Sequence, residues 1–291
     1  MGSNGKDGIF MVLYGPSKTG KTTCTGAASA SGLLIAQPGA LLPLRSFLGL
    51  EQIEERRAET LGMAITYLKK EGAKYPVVAI DDFSVLVERS FGGNWKRLTD
   101  DVYAIRDIAR ELTQKGTTII FNCHEQPERT SSGKYIRGGP SLPGQMPEKF
   151  SALADVVLRS VYDDTAAPWP FVLHTRARAN YIAGDRLTIF PDGGPMNIAE
   201  GLREAGYDLP RAKGLQWQEK LVETTANKIL SNGIENWRAS LKEIIARIGT
   251  KKAKPHLRWA LQDGLHRAVL RNAKTEILDD LIADPDNDAI I

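Results

Sequence analysis

The chain has 291 residues and a formal net charge of +3, so its overall charge alone does not indicate a nucleic-acid or membrane partner. No apolar run approaches the ~18 residues of a membrane-spanning helix. The N-terminus has no signal-peptide core, and Cys24 and Cys123 lie in apolar or small-residue surroundings. These features exclude a disulfide framework and predict a cytoplasmic protein with buried thiols and no membrane partner.

An apolar run at 9–14, a glycine loop and small residues at 23–30 predict a strand, a turn and a helix in that order. The loop, G-P-S-K-T-G-K-T from Gly15 to Thr22, fits G-x-x-x-x-G-K-[ST] at every fixed position. Its backbone N–H groups would face a phosphate, Lys21 would reach the phosphate oxygens, and Thr22 would bind Mg²⁺. We expect ATP and Mg²⁺ as cofactors, with phosphate contacts from Gly15, Pro16, Ser17, Lys18, Thr19, Gly20, Lys21, Thr22 and Thr23.

A short strand is predicted at 32–37, followed by a helix from Leu50 to Lys70, where apolar residues recur at helical spacing. The run V-V-A-I-D-D at 77–82 is apolar until two aspartates, which is typical of a strand covered on both faces of a parallel sheet. Its carboxyl end would lie beside the phosphate loop. We therefore predict that Asp81 binds Mg²⁺ together with Thr22.

Helices are predicted at 83–91 and 95–115, and a buried strand at 117–123. His124 and Glu125 follow this strand at its carboxyl end, where ligands bind in such sheets. We predict that His124 contacts the nucleotide and that Glu125 positions the attacking water. The alternative is a solvated strand end.

The segment 126–147 holds four glycines and four prolines and is predicted to be an irregular loop. Cations and one aromatic ring in this loop suit backbone and stacking contacts with single-stranded nucleic acid. The candidate contacts are Arg129, Lys134, Tyr135 and Arg137. A surface loop without a ligand is the alternative.

Two strands at 154–162 and 170–175 are predicted to form a hairpin. Arg176 and Arg178 follow at once and are candidate arginine fingers, which contact nucleotide in the same or a neighbouring subunit. Surface charge is the alternative. An edge strand at 187–190 and a helix at 198–205 complete this part.

A linker at 207–210 marks the predicted domain boundary, after which helices are predicted at 215–230, 234–248 and 255–278. Eight Lys or Arg and one acidic residue lie between Arg247 and Lys274, while 279–291 carries five Asp and no Lys or Arg. Within the basic segment, Arg267, Arg271 and Lys274 share one helix face and could bind DNA phosphates or be plain solvated charge. The predicted organisation is a flexible N-terminus (1–8), a nucleotide-binding domain (9–208), a helical region (209–278) and an acidic tail (279–291).

Five features together resemble bacteriophage nucleotide-binding proteins of the RecA-like type, some of which are single-strand annealing and recombination ATPases. They are the phosphate loop, the strand reaching Gln37-Pro38-Gly39, the V-V-A-I-D-D strand, the strand ending in His124-Glu125, and R-G-G-P-S-L-P-G at 137–144. The resemblance covers roughly residues 9 to 200. It implies an α/β, RecA-like P-loop NTPase core with a mostly parallel central sheet, followed by the helical region.

The resemblance also implies Mg-ATP, phage DNA metabolism in the bacterial host cytoplasm and a homo-oligomer. Single-stranded DNA and a single-strand-binding or other phage replication protein are the implied partners. At the position of the glutamate that commonly activates water in such ATPases, this chain has Gln37. An amide orients water but takes no proton from it, so Asp82 or Glu125 would serve as the base instead. With Gln37 and the phosphate-binding Lys21 they make up the predicted catalytic set.

The sequence thus predicts an ATPase stimulated by single-stranded DNA in phage recombination or replication. A second hypothesis is a nucleotide-binding phage assembly protein with little turnover. A P-loop kinase for small molecules is least favoured, since the sequence shows no arginine-rich lid and has a large basic C-terminal region.

Overall fold

The structure is a computed structural model that describes residues 7–28, 32–37, 54–131, 134–163, 171–207, 209, 213–248 and 268. The chain divides into two compact units, Met1–Ala212 and Lys213–Ile291. The basic stripe of Arg267, Arg271 and Lys274 and the acidic tail lie outside the described residues, as do residues 1–6 of the predicted flexible N-terminus. Gly8 donates its N–H to the Thr113 carbonyl at 2.7 Å.

Strands and helices alternate in the first half of unit one. They are β1 (Phe10–Gly15), α1 (Lys21–Ala28), β2 (Leu33–Ala36), β3 (Glu54–Arg57), α2 (Leu61–Glu71), β4 (Val77–Asp81), α3 (Phe83–Arg89), α4 (Trp95–Gln114) and β5 (Thr118–Gln126). The rest of the unit comprises β6 (Arg129–Ser131), β7 (Lys134–Ile136), β8 (Gly139–Pro140), α5 (Met146–Ser151), β9 (Val156–Tyr162), β10 (Phe171–His174), β11 (Gly184–Asp185), β12 (Gly194–Pro195) and α6 (Ile198–Glu204).

In the described part of the chain, ten strands join one sheet in the order β12-β10-β9-β1-β5-β4-β2-β3, with β11 beside β9 and β8 beside β5. The six strands from β9 to β3 run parallel, while β10 and β12 are antiparallel additions. The predicted α/β class with a mostly parallel sheet is confirmed. So is the antiparallel pairing of the two strands after residue 154.

The central strands β1, β4 and the first six residues of β5 are buried throughout, as their continuous apolar sequences predict. One sheet face packs against α2, α3, α4 and α5 in a single apolar cluster. On α1, which contacts β1, β4 and β5, no residue joins that cluster, and α1 packs against α6 instead. Helices therefore cover the central strands on both faces and leave the strand ends open for a site.

Four phenylalanines form the centre of the apolar cluster. Phe150 from α5 stacks on Phe83 of α3 at 5.1 Å between ring centroids, and it meets Phe121 edge-on at 5.1 Å. Phe10 of β1 lies 5.5 Å from Phe150. Met146 and Phe150 are the α5 side chains in the apolar cluster. The Phe150 ring therefore fixes the segment between β8 and β9 to the core.

The prediction of a helix from Leu50 to Lys70 is wrong for residues 54–60, and residues 50–53 lie outside the described set. Residues 54–57 form β3, an edge strand paired in parallel with β2, and the helix begins at Leu61 after the Thr60 N-cap. The four charged residues of β3 are tolerated because only one side of the strand bonds to the sheet, and Arg56 is held by Glu71 at 2.6 Å. Sheet pairing here overrides local helical spacing.

The prediction that 126–147 is an irregular loop is also wrong. It contains the β6–β7 hairpin, then β8 against the end of β5, and its last residues begin α5, where Pro147 occupies the first turn. Proline fits that position because its missing N–H would be unpaired there anyway. Strand β5 itself continues three residues past its predicted end, through Gln126.

The edge strand predicted at 187–190 is a turn instead. The Asp185 carboxylate accepts hydrogen bonds from the N–H groups of Leu187 and Phe190 at 2.9 and 2.8 Å, which curls the chain away from the sheet. Phe190 then becomes buried. The apolar residues at 187–190 that predicted a strand therefore include Phe190, which is buried at the end of a turn.

The second unit contains α7 (Lys213–Asn232), a 3₁₀ turn (Ile234–Asn236) and α8 (Trp237–Ile248). Leu241 and Ile244 of α8 and Ile229 of α7 are buried where the helices pack together. The expected helical region is confirmed over these residues. None of the described helices has the length and apolar character needed to cross a membrane.

We expect Phe150→Ala to lower the free energy of unfolding by about 3–5 kcal/mol, because it removes the buried ring and leaves a cavity between α3, α5 and β5. Urea unfolding followed by circular dichroism measures this loss. Leu187→Ala, at a side chain that is 45% exposed, is the control and should change stability by no more than about 0.5 kcal/mol. A loss below about 1 kcal/mol for Phe150→Ala would contradict the role given to this ring.

Candidate functional site

The predicted site residues converge at the carboxyl ends of the parallel strands. Gly15 at the end of β1 is in register with His124 of β5, and Asp81 at the end of β4 is in register with Ala36 of β2. Gln37 follows β2 directly and donates its backbone N–H to the Asp81 carbonyl at 3.2 Å. One edge of the sheet therefore carries the phosphate loop, the aspartate pair and the polar end of β5.

The phosphate loop is shaped by the close approach of β9. A Cβ atom on Gly15 would lie 2.2 Å from the Ser160 carbonyl oxygen, so no larger residue fits there. The Thr19 hydroxyl bonds to the Pro16 carbonyl at 2.9 Å and lies 2.8 Å from the Ser160 hydroxyl. Gly20 has φ +77°, the left-handed conformation that glycine tolerates best. These contacts hold the loop in its turn.

Lys21 lies at the start of α1 with only 8% of its surface exposed. Its Nζ donates to the carbonyls of Gly15 and Pro16 at 2.9 and 2.7 Å, and burial lowers its pKa. The described residues place no carboxylate within hydrogen-bond distance of this ammonium. A buried cation held only by neutral carbonyls favours an anionic ligand.

A chain of hydrogen bonds connects α1 to the end of β4. The Thr22 hydroxyl donates to Asp81 Oδ2 at 2.8 Å, and the Asn122 amide donates to Asp81 Oδ1 at 2.9 Å. Asn122 in turn accepts from the Thr25 hydroxyl at 2.8 Å, and both residues are fully buried. Burial raises the pKa of Asp81, and the bonds from Asn122 and Thr22 partly oppose that shift. The carboxylate is thus oriented, with one oxygen directed to Thr22.

Asp82 and His124 form a second pair at the same edge. His124 Nε2 lies 2.7 Å from Asp82 Oδ2, while Asp82 Oδ1 accepts from the Ser84 N–H at 3.0 Å and caps α3. Burial raises the pKa of Asp82, and His124 partly opposes the shift. Both carboxylate oxygens of Asp82 therefore have partners.

Glu125 is also engaged. Its Oε1 accepts from Arg159 Nε at 2.7 Å, and the Arg159 guanidinium lies 4.5 Å from the centre of the Tyr181 ring. Gln37 differs, since its side-chain Nε2 is buried and has no hydrogen-bond partner among the described residues. Of the three residues considered for water activation, two are carboxylates already paired and the third is an amide.

The remaining predicted residues lie away from this cluster or have undescribed side chains. Arg129 is exposed on β6, and Arg137 is half-buried before β8. The backbones of Lys134 and Tyr135 form β7, but their side chains are outside the described set. Because β10 is antiparallel, its carboxyl end points away from the phosphate-loop edge. Arg176 and Arg178 follow that end, and Arg178 lies 3.4 Å from Asp192.

Sequence reasoning missed Asn122, Thr25, Ser160 and Arg159, which position the predicted site residues. Asn122 carried a usable signal, because a polar residue inside an otherwise apolar buried strand must find a hydrogen-bond partner. The role of Ser160 depends on the pairing of β9 with β1, which the local sequence does not contain.

The residues present fit a Mg²⁺-bound nucleoside triphosphate. Mg²⁺ is commonly held by one or two protein oxygens together with phosphate oxygens, and Thr22 and Asp81 supply a hydroxyl and a carboxylate side by side. Within the described residues, no three His, Cys, Asp or Glu side chains cluster to hold a metal by themselves. The expected ligand set therefore includes the phosphates.

Comparison with known proteins agrees with the site. The model of the AAA_24 family, described as an AAA domain, matches residues 7–187. A crystal structure titled as that of the RadB recombinase is similar with a TM-score of 0.43 and 16% identity, covering 65% of this chain and 86% of that chain. No curated protein matches. The family match places an AAA domain in this part of the chain, and the mostly parallel sheet, in which β5 lies between the phosphate-loop strand and the Asp81 strand, agrees with the predicted α/β class.

We expect Asp81→Asn to stabilise the ligand-free protein at neutral pH while weakening Mg²⁺ binding at least about tenfold. Burial raises the folded pKa of Asp81 above its ordinary value of 3.8, so ionised Asp81 costs stability as pH rises through the interval between the two values. The amide removes that cost. The gain should therefore disappear as pH is lowered towards 3.8.

Thermal unfolding between pH 4 and 8 and Mg²⁺ titration of nucleotide binding measure the two effects. Asp100→Asn, at an exposed carboxylate on α4, is the matched control and should change neither. A destabilised Asp81→Asn protein at pH 7 would show that the charge of Asp81 is favourable in the fold.

Proposed function

Because the chain belongs to the AAA domain family, we propose that it is a RecA-like ATPase that binds Mg-ATP and acts on single-stranded DNA in bacteriophage recombination or replication. The observation that carries the nucleotide part is the 2.8 Å bond between Thr22 and Asp81 beside the buried Lys21 ammonium. These groups come from the two motifs that a P-loop NTPase needs, and they meet at one edge of the sheet.

Each residue then has a defined role. The backbone N–H groups of the loop from Gly15 to Thr22 (all but Pro16, which has none) and the Lys21 ammonium bind the phosphates, and Thr22 and Asp81 hold Mg²⁺. When bound, Mg²⁺ neutralises phosphate charge and polarises the oxygens. His124 contacts the terminal phosphate region and reports its presence to Asp82, its partner at 2.7 Å.

Hydrolysis is proposed to be slow, because neither of the candidate carboxylates that the structure describes at this edge is free to serve as a base. Glu125 is paired with Arg159, both oxygens of Asp82 are bonded, and Gln37 can orient water without accepting its proton. This observation also favours the second candidate function, a nucleotide-binding phage assembly protein in which ATP orders subunits with little turnover.

The DNA part of the proposal is supported by the β6–β7 hairpin. Only two residues separate it from β5, whose polar end carries His124 and Glu125. Arg129 is exposed there, and Lys134, Tyr135 and Arg137 follow in the sequence. A nucleotide-dependent change at His124 would thus act close to the basic hairpin, which suits DNA-stimulated turnover.

Oligomer formation is proposed from the same geometry. Arg176 and Arg178 follow a strand end that points away from their own phosphate loop. A finger role is therefore more plausible towards the nucleotide of a neighbouring subunit than within the chain. A single-strand-binding protein remains a candidate partner.

We expect Lys21→Ala to weaken ATP binding at least about 100-fold and to abolish hydrolysis, because it removes the buried phosphate-binding cation. Calorimetric titration and phosphate release, each with and without single-stranded DNA, measure these effects. Lys96→Ala, at an exposed lysine on α4, is the matched control and should behave like the unsubstituted protein.

Wild-type hydrolysis should increase with single-stranded DNA, and DNA binding should weaken with salt by a log–log slope of about −0.7 for each phosphate contacted. If the protein binds ATP but shows neither DNA-stimulated hydrolysis nor salt-sensitive DNA binding, the DNA part of the proposal is rejected and the nucleotide part stands.

We expect Gln37→Glu to raise the hydrolysis rate by about 100-fold or more, since a carboxylate can accept the proton of the attacking water. Steady-state phosphate release with saturating ATP measures the rate, and Gln37→Ala separates gain of a base from loss of the amide. If the rate is unchanged in Gln37→Glu, residue 37 is not placed to activate water.

A further inference from the structure

The order of the strands indicates on which side of the phosphate loop the nucleoside of a bound nucleotide would lie. The loop follows β1, and the predicted metal ligand Asp81 lies two strands away, at the end of β4. Thr22 and Asp81 would hold a Mg²⁺ ion on the β5 and β4 side of the loop, and the terminal phosphate whose charge it neutralises would lie on that side. The nucleoside must then extend to the other side of β1, where β9 and β10 lie.

Two aromatic residues stand at that place. Tyr162 ends β9, Phe171 begins β10, and the two residues are paired in register at the same sheet edge as Gly15. Their ring centroids are 5.8 Å apart with planes at 72°. Phe171 is close to the phosphate loop, because a Cβ on Gly20 would lie 3.9 Å from its Cδ2 atom.

The Tyr162 side chain is 62% exposed, the largest exposed fraction among the large hydrophobic residues in the described part of the chain. The other strongly exposed aromatic residues, Phe91 and Trp95, cover each other at 4.2 Å between centroids. The Phe171 ring is nearly perpendicular to the Tyr162 ring and so does not stack on it, and the high exposure of Tyr162 leaves part of that ring accessible. An open aromatic face beside a phosphate loop suits a planar heteroaromatic ring.

We propose that Tyr162, supported by Phe171, is the stacking site for the nucleobase of the bound nucleoside triphosphate. The inference rests on the proposed nucleotide function and adds a base-binding site to it. Stacking does not read hydrogen-bond patterns, so the site accepts different bases. It should favour purines only because their faces are larger. Phe171 acts as a positioning residue, since its ring contacts the Tyr162 ring and lies close to the phosphate loop at Gly20.

The test compares ATP with inorganic tripolyphosphate, which has the phosphates and no base, by calorimetric titration in the presence of Mg²⁺. Tyr162→Ala should weaken ATP binding by about 5- to 150-fold, the range of base–aromatic stacking, and leave tripolyphosphate binding unchanged. Tyr162→Phe should restore ATP affinity because it keeps the ring. Trp95→Ala, at another exposed aromatic residue, is the matched control and should leave both affinities unchanged.

Phe171→Leu should weaken ATP binding less than Tyr162→Ala and again spare tripolyphosphate. Unchanged ATP affinity in Tyr162→Ala, or equal weakening of ATP and tripolyphosphate, would overturn the base assignment while the phosphate-loop function stands. A wild-type protein that binds neither ligand would overturn the proposed function itself, and the base site with it.

Discussion

The carboxylate of Asp81 is the constraint on which the site depends. It is almost fully buried, so both its oxygens need donors, and these come from α1 through Thr22 and from β5 through Asn122. The same bonds tie the helix after the phosphate loop to two neighbouring strands. The Asp81 carboxylate, which is suited to bind a divalent cation, therefore also holds α1 against β4 and β5. Because Lys21 begins α1, the same bonds help to fix its position.

Sequence alone could predict the parts of the site that are local. The phosphate loop needs only its own spacing of glycine, lysine and threonine, and Asp81 follows a strand whose apolar run is unmistakable. The contributions of Ser160 and Arg159 could not be predicted, because they come from β9, whose place beside β1 is fixed by pairing across more than 140 residues. The strand at 54–57 was missed for the same reason, since its charged residues become a strand only through pairing with β2.

The two candidate bases, Glu125 and Asp82, are both paired, with Arg159 and His124 respectively. Groups that could act in proton transfer are present, but each is held by a partner in the ligand-free protein. Under the proposed ATPase function, turnover would require a rearrangement that frees one of them. Only two residues separate the β6–β7 hairpin from the end of β5, so a ligand bound to the hairpin, as proposed for DNA, would act close to these pairs.

The buried Lys21 has a further consequence for the lifetime of the protein. The Lys21 ammonium is desolvated, and within the described residues its hydrogen bonds go only to carbonyls, so a triphosphate bound there would relieve the cost of burying this charge. By mass action, ligand at one hundred times its dissociation constant adds about 2.7 kcal/mol of stability. Under the proposed function, the resistance of the purified protein to proteolysis should therefore rise with the concentration of added ATP.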